Sequence, residues 1–163
     1  MTSIDRTFVA DTLNVTEDSL PEGDLPLARF ADRFLDFLRG TYETEAFEAH
    51  PDYWTDLLLD GLIQRRPATA LDALCAAMAA CDEVEDLEII AAGPLQELID
   101  SHGTDLLTEI DARAKAAPRF RLALAMLWAE GGGPAMLKAR IAAVAAPSTA
   151  LEEDELPSSE GLT

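Results

Sequence analysis

The sequence predicts an all-α fold of about seven to eight short helices, packed as antiparallel helical hairpins in an irregular HEAT-like stack or bundle. Three observations carry this expectation. Apolar residues recur at spacings of three and four across residues 25–145, the signature of one buried helical face. Pro and Gly stand where that pattern breaks. No window alternates apolar with polar residues, or gathers enough Val, Ile, Thr and Tyr, to read as a strand.

The elements follow in chain order. Residues 1–24 are rich in Thr and Asp and carry only a weak helical pattern (Ile4, Phe8), so this segment is expected to be partly ordered. Leu27, Phe30, Phe34, Phe37 and Leu38 form an apolar stripe on a helix over about 26–39, with Gly40 expected to stop it. A second helix starts after His50-Pro51, with Trp54, Leu57, Leu58, Gly61 and Leu62 on its inner side and Asp52, Asp56 and Asp60 opposite. Pro67 opens a third helix with Leu71, Leu74, Cys75, Met78 and Cys81 inward.

The acidic run from Asp82 to Asp86 begins a fourth helix, where carboxylates suit the positive N-terminal dipole. Val84, Leu87, Ile90 and Ala91 point inward from it. Gly93-Pro94 is expected to break the chain, Gly93 turning left-handed and Pro94 starting a fifth helix that ends at His102-Gly103. Thr104 is expected to cap a sixth helix, whose outer face pairs Glu109 with Arg113 and Asp111 with Lys115. Pro118 opens a seventh with Phe120, Leu124, Leu127 and Trp128 inward, and the glycines at 131–133 hinge to an eighth ending near Val144.

Chemistry of composition narrows the function. Twelve basic residues against thirty-one acidic ones leave a formal charge of −19, which disfavours binding to nucleic-acid phosphates or anionic membrane. No apolar run reaches the twenty or so residues of a membrane span, and nothing at the start resembles a signal peptide. With Cys75 and Cys81 as the two cysteines, a disulfide framework is not expected and a reducing cytoplasm is. Residues 67–100 carry eight acids and no Lys or Arg, whereas residues 101–145 carry six basic residues against four acids. Residues 146–163 hold five acids, no base and two prolines, and are expected to form a disordered tail. The domain is therefore placed at 25–145.

Residues 91–99 (Ala-Ala-Gly-Pro-Leu-Gln-Glu-Leu-Ile), then His102-Gly103, then Ala117-Pro118-Arg119-Phe120-Arg121 and Leu127-Trp128 make an ordered set of motifs. With Trp54 and Arg65-Arg66-Pro67 upstream, this set resembles an uncharacterised bacterial family of small helical proteins, over roughly residues 50–130. Members of that family show an Ala-Ala-Gly-Pro-Leu-Glu turn, a His-Gly stop and an Asp-Pro-Arg-Phe-Arg helix start. This chain departs from them with Gln96 for Glu and Ala117 for Asp. The resemblance implies a helical fold and no activity.

No catalytic residue, cofactor or metal is expected. His102 at a helix C-terminus and His50 at a helix start both suit capping. Two cysteines and two histidines spread over residues 50–102 lack the short spacings of a zinc site. Cys75 and Cys81 lie about 9 Å apart along one helix, beyond disulfide reach, and read as packed thiols. The Asp82–Glu88 run lacks the central Gly and alternating ligands of a calcium loop, and no Lys-Ser/Thr follows the glycines at 131–133.

The expected function is a non-catalytic, cytoplasmic protein–protein interaction module. Its expected partner-binding face is Asp82, Glu83, Glu85, Asp86 and Glu88, opposite a basic partner. One alternative is an acidic immunity or antitoxin protein, or a nucleic-acid mimic, that neutralises a basic effector. A second is a homo-oligomeric structural protein, with Phe30, Phe34 and Phe37 closing either an internal core or a dimer seam.

Overall fold

The computed structural model describes residues 2–128, 131, 133–152 and 155–163. The fold is all-α, with one two-residue antiparallel bridge between β1 (Ser3–Ile4) and β2 (Leu25–Pro26), in the register Ser3 with Pro26 and Ile4 with Leu25. That bridge corrects the expectation of no strand. The chain divides into two compact units, Met1–Ala77 and Met78–Thr163.

In the first unit, α1 (Arg6–Leu13) packs on α3 (Tyr53–Arg65), and α2 (Leu27–Thr41) packs on α3 as well. Asp5 starts α1 by accepting the Phe8 N–H at 2.9 Å, and Asn14 ends it in the left-handed region at φ 54°. The N-terminal segment is thus built into the unit: Ile4, Phe8 and Val9 are buried. Phe30, Phe34 and Phe37 are buried too, with Phe30 stacked on Phe34 at 5.6 Å. These rings fill the unit's own interior. Gly40 does not stop α2, which runs to Thr41; the Thr41 hydroxyl donates to the Phe37 carbonyl at 2.7 Å.

Helices α1 and α3 approach closely where Gly61 of α3 faces Thr12 of α1; a Cβ at position 61 would overlap Thr12 Cγ2. Around that contact Arg65 Nη1 lies 2.5 Å from Asp11 Oδ2, and the Arg65 and Arg66 guanidiniums sit 4.5 and 4.3 Å from the centre of the Phe8 ring. Leu58, Leu59, Leu62 and Ile63 carry the buried face of α3. Leu57, expected inward, is exposed, because the buried face turns toward Leu59 and Ile63 instead.

Helix α4 (Pro67–Ala80) begins in the first unit and ends in the second. The second unit continues with α5 (Val84–Ile90), α6 (Gln96–His102), α7 (Leu107–Ala116), α8 (Pro118–Ala125) and α9 (Ala135–Val144). Helices α7, α8 and α9 pack on one another in pairs. Between α5 and α6 the expected break is absent. Residues Ala91–Leu95 form a π-helical turn with Pro94 inside it, and Gly93 does not take a positive φ. A wide turn of this kind tolerates the missing proline N–H and keeps α5 and α6 in one helical run. Thr104 likewise caps nothing: α7 begins at Leu107, after a turn.

Leu162 is buried at 2% exposure, Gly161 takes φ 83°, and the Leu162 carbonyl accepts from Arg113 at 3.3 Å. A single apolar anchor and backbone carbonyls held by arginines tie residues 157–162 to α7 and α8. The hinge expected at residues 131–133 includes Gly132, which lies outside the described residues; Gly133 takes φ 96°.

Candidate functional site

The acidic run lies at the junction of α4 and α5. Asp82, Glu83, Glu85 and Glu88 are exposed there. Asp86 is not: it is 7% exposed, and its Oδ2 accepts the Asp82 N–H at 3.4 Å. One helical turn separates Asp86 from Ile90, which is fully buried, so the two share the inward face of α5. Asp86 is therefore a structural carboxylate at the start of α5, and the outward set is reduced to the other four.

The Pro118-Arg119-Phe120 start of α8 holds a residue whose role spacing could not reveal. Arg119 is 8% exposed. Its Nη1 donates to the carbonyls of Met78 (2.9 Å), Ala79 (3.1 Å) and Cys81 (3.1 Å), and its Nε donates to the Pro157 carbonyl (2.9 Å). A guanidinium has no acceptor of its own, and the last carbonyls of a helix have no partner within the helix. One side chain thus satisfies the end of α4 and holds the C-terminal segment to the second unit. The only sequence signal was an arginine beside a helix-opening proline.

A groove of about 370 Å³ runs over the second unit between α6, the end of α8 and α9. Ile99, Leu124, Leu137 and Ile141 form its floor, and Lys138 and Asp100 stand at its edges. Trp128 borders it with 69% of its surface exposed. This overturns the expectation that Trp128 shares a core face with Phe120: α8 ends at Ala125, so the periodicity does not reach position 128. Gln96 fixes the segment instead, accepting the Trp128 N–H at 2.9 Å and donating to Asp100 Oδ1 at 2.9 Å. The amide at position 96 does both at once, which a Glu carboxylate could not.

His50 Nδ1 accepts the Asp52 N–H at 3.1 Å, and its ring lies edge-on to Phe37 at 5.7 Å, close against Gly40. That contact holds the turn leading into α3. His102 is half-buried at the end of α6, and Cys75 and Cys81 are buried thiols. On α7 the Asp111 carboxylate pairs with Arg140 of α9 at 2.5 Å, rather than with Lys115 on its own helix. Among the described residues, no group of three or more His, Cys, Asp or Glu converges to hold a metal ion, and no helix is long and apolar enough to cross a membrane.

The Asp52, Asp56 and Asp60 stripe is less solvated than its pattern implies. Burial first, then the Asp60 carboxylate, raise the Asp56 carboxyl above its ordinary 3.8. The folded chain then holds that proton more tightly than the unfolded chain. The resulting cost is absent well below pH 3.8 and grows as pH climbs through the raised value. Asp56→Asn is expected to stabilise the first unit by about 0.5 kcal/mol at neutral pH, given partial solvent screening, and not at pH 3. Urea midpoints at the two pH values check this; an equal change at both would refute it.

A small all-α protein with a carbonyl-capping arginine and an open apolar groove is the class this geometry defines. The chain belongs to a family of unknown function, DUF6869, whose model matches residues 42–149. That span takes in α3 to α9, with Arg119, Gln96 and Trp128, and extends beyond the 50–130 of the motif set. No curated protein and no solved structure matches the chain.

Proposed function

We propose that this protein is a non-catalytic interaction module of the bacterial cytoplasm that grips a protein partner through the groove beside Trp128. The observation that carries the reading is the 69% exposure of Trp128 at the edge of an apolar groove within the family region. Tryptophan exposed beside a dry concave surface is costly in water and is the residue type most enriched among binding hot spots.

Asp82, Glu83, Glu85 and Glu88 favour a basic partner, and with it the narrower reading of an acidic immunity protein or nucleic-acid mimic. Like-signed exposed carboxylates accelerate encounter with a basic surface more than they tighten the final complex.

One experiment tests both. The full chain, Trp128→Ala, and a variant with Asp82→Asn, Glu83→Gln, Glu85→Gln and Glu88→Gln are used as baits in host lysate at low and high salt. The module reading expects one stoichiometric partner, retained at least tenfold less by Trp128→Ala because a hot-spot truncation costs about 2 kcal/mol or more. The amide variant is expected to lose mainly the low-salt advantage, since exposed charges are screened within about 10 Å at 0.1 M salt. Equal retention by the native chain and Trp128→Ala refutes the groove. Recovery of only the chain itself would point to the homo-oligomeric alternative.

A further inference from the structure

The first unit holds a second concave feature, unrelated to the groove and outside most of the family region. The loop between α1 and α2 closes over a cavity of about 350 Å³, within the range of small-molecule sites. Three of the chain's twelve basic residues line it: Arg6, Arg29 and Arg33. In a chain of charge −19 this is a local concentration of cations. Arg29 and Arg33 stand one turn apart on α2 and so face the same way. Among the described residues Arg33 lies 3.8 Å from the Asp36 carboxylate and 4.0 Å from that of Asp52.

Arg6 adds an independent sign of a missing acceptor. Its Nη2 donates to the carbonyls of Glu17 (2.6 Å) and Leu20 (3.0 Å), which pins the guanidinium in place. Its Nε is buried and has no hydrogen-bond partner among the described residues. A buried donor of this kind is costly to leave unpaired, and it commonly marks a place for an ion, a water or a ligand oxygen.

Three acids share the walls. Asp24 accepts the Arg6 backbone N–H at 3.1 Å, Asp52 lies toward Arg33, and Glu22 sits on the loop. Three carboxylates balance three guanidiniums, so an anion must be held by direct hydrogen bonds to the arginines rather than by net charge, which favours a monoanion over a phosphate dianion. Val9 and Leu13 of α1 and Trp54 at the start of α3 line it with apolar surface, together with Leu20, Leu25 and Pro26.

We infer that this cavity binds a monocarboxylic acid with an apolar body. The carboxylate sits among Arg6, Arg29 and Arg33, where charge-assisted hydrogen bonds hold it, and the hydrocarbon lies against Val9, Leu13 and Trp54. The site asks for no covalent chemistry.

The test uses the full chain and octanoate, read by the indole N–H resonance of Trp54 in NMR titration, with that of Trp128 as the control in the other unit. Octanoate is expected to shift the Trp54 resonance saturably and leave that of Trp128 unmoved. Octanamide, which has the same body without the charge, is expected to bind at least tenfold more weakly. The variant Arg29→Gln with Arg33→Gln alters two exposed side chains and is expected to weaken octanoate tenfold or more, while Glu22→Gln, which removes a like charge, tightens it. The inference is overturned if no saturable Trp54 shift occurs up to 10 mM octanoate, if only Trp128 responds, if octanamide binds equally, or if inorganic phosphate displaces octanoate at equal concentration. Unchanged affinity in both the arginine and the Glu22 variants would also overturn it.

Discussion

Replacing Arg119 with Met is expected to destabilise the second unit by about 4 kcal/mol. The figure follows from the loss of the two fully buried bonds to the Met78 and Cys81 carbonyls, at roughly 1–3 kcal/mol each, with the Met78 carbonyl keeping only the Cys81 N–H at 3.4 Å. Met matches the stem of Arg but leaves the space of the guanidinium empty, so part of the loss is cavity formation. The bond from Nε to the Pro157 carbonyl is lost as well, so residues 155–163 are expected to exchange their amide hydrogens faster than in the native chain. Arg119→Lys should recover part of the stability, because one ammonium can serve two neighbouring carbonyls but not the fork that also reaches Pro157. Urea unfolding with peptide-resolved hydrogen exchange measures both effects. A loss below about 1 kcal/mol, within the spread of ordinary surface substitutions, would mean that water replaces the guanidinium.

Gly61→Ala is expected to destabilise the first unit, against the usual direction for that substitution in a helix. Helix propensity alone favours Ala by about 1 kcal/mol. The new methyl would however overlap Thr12 Cγ2, and overpacking of a close contact costs about 1–3 kcal/mol. Thr12 cannot swing aside cheaply, because its hydroxyl donates to the Phe8 carbonyl at 2.7 Å and accepts from Arg65. The steric cost therefore wins, with a net loss of about 1 kcal/mol. Thr12→Ser removes the offending methyl while keeping the hydroxyl. In that background Gly61→Ala should become neutral or stabilising, and the sign reversal between the two backgrounds is what thermal unfolding would read. No reversal would show that α1 and α3 separate freely to admit the methyl.

Most of the secondary structure was legible because it rests on local rules. The stripes Leu71, Leu74, Cys75 and Met78, or Leu98 and Ile99, are buried as their spacing requires, and Pro67 and Pro118 open helices as their fixed φ favours. The motif set also read true, since the chain belongs to a family that covers it. The errors sit where a neighbour distant in sequence decides the outcome. Trp128 follows a helical period on paper, but α8 ends before it and Gln96, thirty-two residues earlier, takes its N–H. Asp86 belongs to an acidic run, yet the turn of α5 points it inward. The groove beside Trp128 and the arginine-lined cavity were not legible at all, because each is assembled from segments whose spacing is set only by packing.

The sequence by itself determined an all-α protein of strong negative charge, with helix boundaries near its prolines, because backbone hydrogen bonding and apolar periodicity act within a few residues. Tertiary structure alone decided which of the charged and aromatic side chains are buried. Arg119 is inside because the end of α4 presents carbonyls that need a donor, and Leu162 is inside because the segment carrying it is held by arginines from α7 and α8. Trp128 is outside because no element covers it among the described residues. Burial of a polar group depends on whether a partner meets it in space, and that meeting is a property of the folded chain rather than of spacing along it.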